Sequence, residues 1–294
     1  MKLNLYKLFL FIGFITLTVT ACQKDYPPIE ELDEENIQQY IQANGLNLNA
    51  DTSGYYWDII EEGTGDPVQY SDQVFITFTF KTLDGKFVSN DEYVNNRYMN
   101  FLGYLGKSYN LPDVFRTAVK NKLIRKGGSL RLIIPSRLAY GRNESNGIPG
   151  NSSLDCTLKL YDVSTQAEFD DVLINKFASE NDLSLTKDPS GLYYQIITPG
   201  SGPEVVRDTT EVTTLYKLRY LNGTVLQEAT AADPYTSTVE ENIVGFQLGV
   251  KLLKKGGKIR LLIPSHLAYG PNPSNGIRAS AVLDYDVELT EVEE

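Results

Sequence analysis

Lys255-Gly256-Gly257-Lys258-Ile259-Arg260-Leu261-Leu262-Ile263-Pro264-Ser265-His266-Leu267-Ala268-Tyr269-Gly270 decides the fold, because the chain contains this stretch twice. The other occurrence is Lys126-Gly127-Gly128-Ser129-Leu130-Arg131-Leu132-Ile133-Ile134-Pro135-Ser136-Arg137-Leu138-Ala139-Tyr140-Gly141, with Leu138 and Leu267 129 positions apart. Near-identity of that length at that distance marks a duplicated unit. Each copy reads as a Gly-Gly turn, a strand, and a Pro-Ser exit into a loop that presents one tyrosine, Tyr140 or Tyr269.

Outward from the repeat, the same order of elements appears on both sides. Arg116 to Lys126 and Phe246 to Lys255 are predicted as single amphipathic helices, with Phe246, Val250 and Leu253 on one face. Each ends in Gly-Gly, a good helix stop. Upstream, Val74 to Phe80 and Val212 to Tyr220 are predicted strands, followed by the turns Leu83-Asp84-Gly85-Lys86 and Leu221-Asn222-Gly223-Thr224. Further upstream, Ile37, Tyr40 and Ile41 in one copy and Leu173, Ile174 and Phe177 in the other have helical spacing. Leu154 to Val163 and Val282 to Val292 close the units as strands. The segment Asn90 to Asp113, rich in Tyr and Asn, has no close match in the second copy. The pattern is α+β: in each unit an antiparallel sheet packs on one helix, with an extra entry helix in front. The division is 33–165 for the first domain and 166–294 for the second.

The chain has 294 residues, room for two ordinary cores, and a formal charge of −11, which disfavours nucleic acid as a partner. One histidine and two cysteines exclude most metal-site and Cys–His schemes. Lys2 and Lys7 precede an apolar run from Leu8 to Val19, a signal-peptide pattern covering residues 1–21. It ends Val19-Thr20-Ala21-Cys22, which resembles the lipobox of bacterial lipoproteins, so Cys22 is the expected lipidation site and membrane anchor. The alternatives are a plain signal peptide or an uncleaved anchor. Residues 22–32 then read as an acidic tether, and the Glu30–Glu35 run as a solvated face. Cys156 would be the one thiol left, a buried small hydrophobe in a strand.

The Asp-Gly-Lys or Asn-Gly-Thr turn, the helix ending Lys-Gly-Gly, the strand into Ile-Pro-Ser, Leu-Ala-Tyr-Gly, and the closing Leu283-Asp284-Tyr285-Asp286-Val287-Glu288-Leu289 together resemble the FKBP-type peptidyl-prolyl isomerases. The lipobox and the entry helices are similar to tandem-domain lipoproteins of that family from the Bacteroidota. The resemblance implies a bent antiparallel sheet wrapped around one helix, an apolar bowl between them, no cofactor, and proline-containing segments of unfolded exported proteins as substrates.

Carried over residue by residue, the resemblance implies a bowl in the second domain made by Tyr216, Ile243, Phe246, Tyr269 and Tyr285. Ile243 is the helix-entry aliphatic whose N–H is a donor, Phe246 replaces the family's floor tryptophan, and Tyr269 is the rim hydroxyl. Leu226, Gln227 and Ile277 complete it, with Gln227 standing where the family has an aspartate. In the first domain the matching positions are Phe78, Val88, Val114, Tyr140 and Ile148. There Ser89 replaces the aspartate, Thr117 falls near the floor, and Cys156 takes the last aromatic position. Tyr269 and the other aromatics could equally be structural; only the family register places them in a bowl.

The expected function is a lipid-anchored isomerase of the cell envelope, at the outer membrane on its periplasmic face or the cell surface, active mainly in the second domain. Two rivals stand beside it. One is a catalytically weak chaperone or docking lipoprotein. The other is a structural component of an envelope assembly.

Overall fold

The computed structural model describes residues 28–145, 147–273 and 276–293. The expected signal peptide, the expected lipidation site Cys22 and most of the expected tether lie outside the described residues.

The first unit begins with helix α1 (Ile29–Ala43). Strands β1 (Asn49–Ala50), β2 (Tyr56–Glu61), β3 (Gln73–Thr82), β4 (Val88–Ser89) and β5 (Arg97–Phe101) follow. Helix α2 (Asp113–Ala118) and strands β6 (Ser129–Ile134) and β7 (Leu154–Leu160) complete it. The second unit repeats that order as α3 (Gln166–Glu180), β8 (Thr186–Lys187), β9 (Tyr193–Thr198), β10 (Glu211–Tyr220), β11 (Val225–Ala229), β12 (Tyr235–Thr238), α4 (Val244–Val250), β13 (Gly257–Ile263) and β14 (Leu283–Glu293). The sheets have one topology. The first runs β1-β2-β6-β7-β3-β4 with β5 on β3, and the second β8-β9-β13-β14-β10-β11 with β12 on β10. The paired strands are antiparallel, with Leu132↔Cys156 in the first sheet matching Leu261↔Tyr285 in the second.

Period-two alternation sends one face of each long strand to its own core. In β3 these are Val74, Ile76, Phe78 and Phe80; in β10 they are Val212, Tyr216, Leu218 and Tyr220. Helix α4 lies close on β13 because Gly245 and Gly249 carry no side chain. A Cβ there would come 2.3 Å from Ile263 and 2.5 Å from Leu261. This approach sets Phe246 between helix and sheet.

The central helices differ from the sequence expectation. They start before Arg116 and Phe246 and end well before the Gly-Gly pairs. In the first unit α2 runs into a π-helical turn, Val119–Leu123, and Ile124 then takes a left-handed φ of 66°. These features place two more residues between helix start and Gly-Gly than the second unit has. Spacing counted back from Gly-Gly is therefore wrong for α2.

The entry helices are fastened by a buried carboxylate. Asp33 in α1 accepts from the Ser136 backbone N–H (2.9 Å) and hydroxyl (2.6 Å), and Asp170 in α3 from those of Ser265 (2.8 and 2.6 Å). Both serines belong to the repeated Pro-Ser exit. The acidic run is thus not a uniformly solvated face: Asp33 is 3% exposed, and α1 begins at Ile29, inside the segment assigned to the tether. A capping box formed by Thr165 and Glu168 starts α3.

Helix α3 is buried on two sides. Phe169, Leu173, Ile174 and Phe177 pack on Leu262 and Val282 of their own unit and on Phe75 of the first. Phe75 and Phe169 are fully buried with ring centroids 5.3 Å apart. Burying each such ring stabilises by about 1.5–3 kcal/mol, so the junction is part of the folded core.

Candidate functional site

In the second domain, β10, α4 and β14 bring three rings together. The Tyr216 and Tyr285 centroids are 5.3 Å apart, and those of Phe246 and Tyr285 5.7 Å. Phe246 is 1% exposed and forms the floor. Leu226, Ile243, Tyr269 and Ile277 are half-buried and pack on the same cluster. Ile243 is the extended residue capping α4 (φ −59°, ψ 147°). Gln227 is not brought in. It follows Leu226 across a β-bulge on β11, pairs with Leu218 of β10, and is exposed.

Three contributors escaped the sequence reading. Tyr235 on β12 stands edge-on to Tyr216 at 5.6 Å and 81°, and its hydroxyl donates to the Asn242 side-chain oxygen at 3.2 Å. The Asn242 amide donates in turn to Ser237 Oγ (2.9 Å) and the Thr238 carbonyl (3.0 Å), which fixes the approach to α4. The Tyr220 hydroxyl accepts from the Arg278 N–H at 2.7 Å and so holds the loop carrying Ile277. The alternation in Tyr235-Thr236-Ser237-Thr238 was the available signal for β12.

Burial, and then the neighbouring tyrosines, push the Tyr216 and Tyr285 hydroxyls upward from the ordinary value of 10. They remain protonated in any physiological medium. The result is an aromatic cluster carrying neutral phenol hydroxyls.

The first domain is built differently. Phe78 stacks on Phe80 at 5.8 Å, Phe80 on Phe87 at 5.9 Å, and Phe115 tilts against Phe78 at 5.8 Å. Phe115 rather than Thr117 is the floor, because the two extra residues after α2 shift the register. Val114 lies inside the helix, 7% exposed, so it is not the helix-entry residue. Pro112 caps α2 instead, and proline has no N–H to donate. Ile148 and Cys156 are fully buried, and burial pushes the Cys156 thiol well up. Val88 is 58% exposed and Ser89 donates to Asn96 Oδ1 at 2.8 Å, so β4 adds no wall.

The first rim tyrosine is already engaged. The Tyr140 hydroxyl donates to the Asn110 carbonyl at 3.0 Å. Asn110 has a left-handed φ of 56°, and the next two residues, Leu111 and Pro112, are buried. Leu111 joins the cluster on which Tyr140 packs. The segment without a counterpart in the second copy thus packs over the Tyr140 side of the first domain's core.

An FKBP-type peptidyl-prolyl cis-trans isomerase FkpA of Buchnera aphidicola (subsp. Schizaphis graminum) is 38% identical over 120 residues, 40% of this chain and 47% of that protein. The Escherichia coli K12 protein of the same name is 36% identical over 118 residues, 40% of this chain and 43% of that one. The chain therefore spans about half the length of the curated relatives it matches. The crystal structure of FkpA from Escherichia coli is 31% identical, with a TM-score of 0.39, over 43% of this chain and 61% of that one. The family described as FKBP-type peptidyl-prolyl cis-trans isomerase matches twice, over residues 65–161 and 202–290. With one family domain in each half, the chain belongs to the FKBP-type peptidyl-prolyl cis-trans isomerases.

Proposed function

We propose that the chain is a prolyl isomerase of the cell envelope in which the second domain turns over and the first does not. The observation that carries this is the aromatic cluster of the second domain, set against the segment that covers the equivalent place in the first. Around Tyr269 stand Tyr216, Tyr235, Phe246 and Tyr285, whereas Tyr140 holds the chain's own Asn110.

The chemistry needs no acid, base or metal. An X-Pro amide resists rotation because resonance must be lost along the way, and uncatalysed exchange takes tens to hundreds of seconds. The twisted amide is less charge-separated than the planar one, so an apolar aromatic bowl favours it relative to water. Phe246 offers the floor for the proline ring. The Tyr269 hydroxyl offers a donor to the substrate carbonyl, and the Ile243 N–H a second. Both hold the peptide in a turn as the bond rotates. The substrates are proline-containing segments of unfolded exported proteins.

The lipobox supports an anchor at Cys22, placing the domains at the outer membrane, on the periplasmic face or the cell surface. No helix among the described residues is long and apolar enough to cross a membrane. A Cys22→Ala variant released from the membrane fraction supports the anchor; one that stays there removes it.

The main test is protease-coupled isomerisation of an X-Pro tetrapeptide by the chain from Cys22 onward. Catalysis that Tyr269→Phe reduces and Tyr140→Phe leaves alone supports the assignment. A folded chain with no rate above background sinks it. The exposure of Gln227, where the family has an aspartate, favours one second reading, a peptide-docking chaperone. Peptide binding without turnover would establish that instead.

A further inference from the structure

The two domains share a cleft between the entry helix and the turn after the long strand, and only one of the two clefts is filled. In the second domain the occupant is the 91–97 segment of the first. Tyr93 donates to Glu180 and stands edge-on to Phe177 at 5.8 Å, Glu92 pairs with Lys176, and Asn222 donates to Asp91 at 2.8 Å. Arg97 goes deepest: its guanidinium donates to the Ser280 carbonyl at 3.3 Å and feels the buried Asp170 carboxylate.

The same positions in the first domain line an open cleft of about 410 Å³. Asp33 stands for Asp170, Gln39 for Lys176, Tyr40 for Phe177, Ala43 for Glu180, Asp84 for Asn222 and Asn151 for Ser280. Asn151 and Ser280 even share a left-handed backbone (φ 57° and 51°) and donate their N–H to Gly141 and Gly270 at 2.7 and 2.9 Å. The carbonyl that receives Arg97 and the buried carboxylate near it therefore have their counterparts in the first cleft, where Ser153 Oγ also donates to Asp33 at 3.2 Å.

We propose that this cleft is a docking site for an arginine side chain of a partner polypeptide. The differences between the clefts define the flanking chemistry. Lys176, which receives Glu92, is replaced by Gln39, and Asn222, which receives Asp91, by Asp84. A segment with an acidic flank no longer fits, whereas a cation flanked by amides does. Two lysines are near, but Lys86 pairs with Asp84 at 2.9 Å and Lys81 lies 3.6 Å from Asp155, beyond the Tyr40 ring. Asp84 is held down at about 2 by Thr82 first and then Lys86, so it is charged throughout the useful pH range. Of the two residues that α3 turns to the first domain here, Phe169 and Leu173, α1 keeps an apolar side chain only at Leu32 and has Asn36 in place of Leu173, which disfavours a second FKBP-like domain stacked on α1 as the occupant.

The test is an NMR titration of the chain from Cys22 onward with acetyl-Asn-Asn-Arg-Tyr-amide, the composition of residues 95–98. Saturable shifts at Asn36, Gln39 and Asp84 are expected. The same peptide with citrulline, which removes the charge and keeps the shape, and the Asp84→Lys variant should each weaken binding at least about tenfold. Absence of saturable shifts, or equal affinity for the citrulline peptide, overturns the proposal. So does self-association of the chain that Asp84→Lys abolishes, since a second copy would then be the occupant.

Discussion

Phe246 and Phe115 hold equivalent places, so the same substitution in each separates catalysis from packing. Both are essentially unexposed, at 1% and 0%. Each leans on one aromatic neighbour, Tyr285 at 5.7 Å and Phe78 at 5.8 Å. Replacement by leucine keeps an apolar side chain of similar volume. It loses one aromatic pair, about 0.5–1.5 kcal/mol, and adds a shape mismatch of up to about 1.5 kcal/mol. Both variants should therefore lose about 1–3 kcal/mol of stability, measurable as similar shifts in urea midpoint. Their rates should differ. If the Phe246 ring is the floor under the substrate proline, losing about 1.4 kcal/mol of transition-state contact lowers kcat/KM tenfold. The Phe115 variant should match the wild type. Equal loss of rate in both variants, or in neither, would refute the division of labour between the domains.

Four further outcomes are expected. Tyr269→Phe should lower kcat/KM several-fold, while Tyr140→Phe should leave it unchanged and cost about 0.5–1.5 kcal/mol of stability through the lost bond to Asn110. The rate on an X-Pro peptide should be flat from about pH 6 to 9, since the Tyr216 and Tyr285 hydroxyls are raised above 10 and the proposed chemistry uses no acid or base; a bell-shaped profile would show a missed acid or base. Burial pushes the Asp155 carboxyl up, but Arg131, Tyr40 and Lys81 together pull it below its ordinary value. Its stabilising contribution is complete above the unfolded value near 3.9 and lost as pH falls through the folded one, so Asp155→Asn should flatten the acid limb of Tm against pH. Asp170→Ala leaves the buried Ser265 N–H without its acceptor and should cost about 2–3 kcal/mol by denaturant titration, whereas after Asp33→Ala the Ser136 N–H keeps Ser153 Oγ at 3.2 Å and the cost should be smaller.

The duplication made most of the fold legible. Two copies of one stretch fix a common register, and elements at constant offset from it were assigned correctly. That Phe246, Tyr269 and Tyr285 share one cluster was legible for the same reason: they sit in or beside shared motifs. Tyr235 was missed because β12 follows a turn outside those motifs. The first floor was missed for a local reason, since a π turn and a left-handed Ile124 take up two residues without changing the helix's apolar pattern. Asp33 was hidden among Glu30, Glu31, Glu34 and Glu35. Composition marks such a run as solvated, and only the matching Asp170 hinted that one acid turned inward.

The erosion of the first bowl and the making of the domain junction are one structural event. In the second domain β11 runs for five residues beside β10 and sets Leu226 against the aromatic cluster. In the first, β4 stops after Val88 and Ser89, because the chain beyond it turns away to place Tyr93 and Arg97 on α3. A strand cannot both wall its own bowl and supply the plug for its neighbour's cleft. With the wall gone, Val88 is left in solvent and the bowl opens at that side. The Leu102–Pro112 stretch then covers it from the other, burying Leu102, Leu105 and Leu111 and engaging Tyr140. Restoring the first site would therefore take more than restoring its aromatic residues. It would require returning 91–96 to the sheet, which would take Tyr93 out of the cleft beside α3.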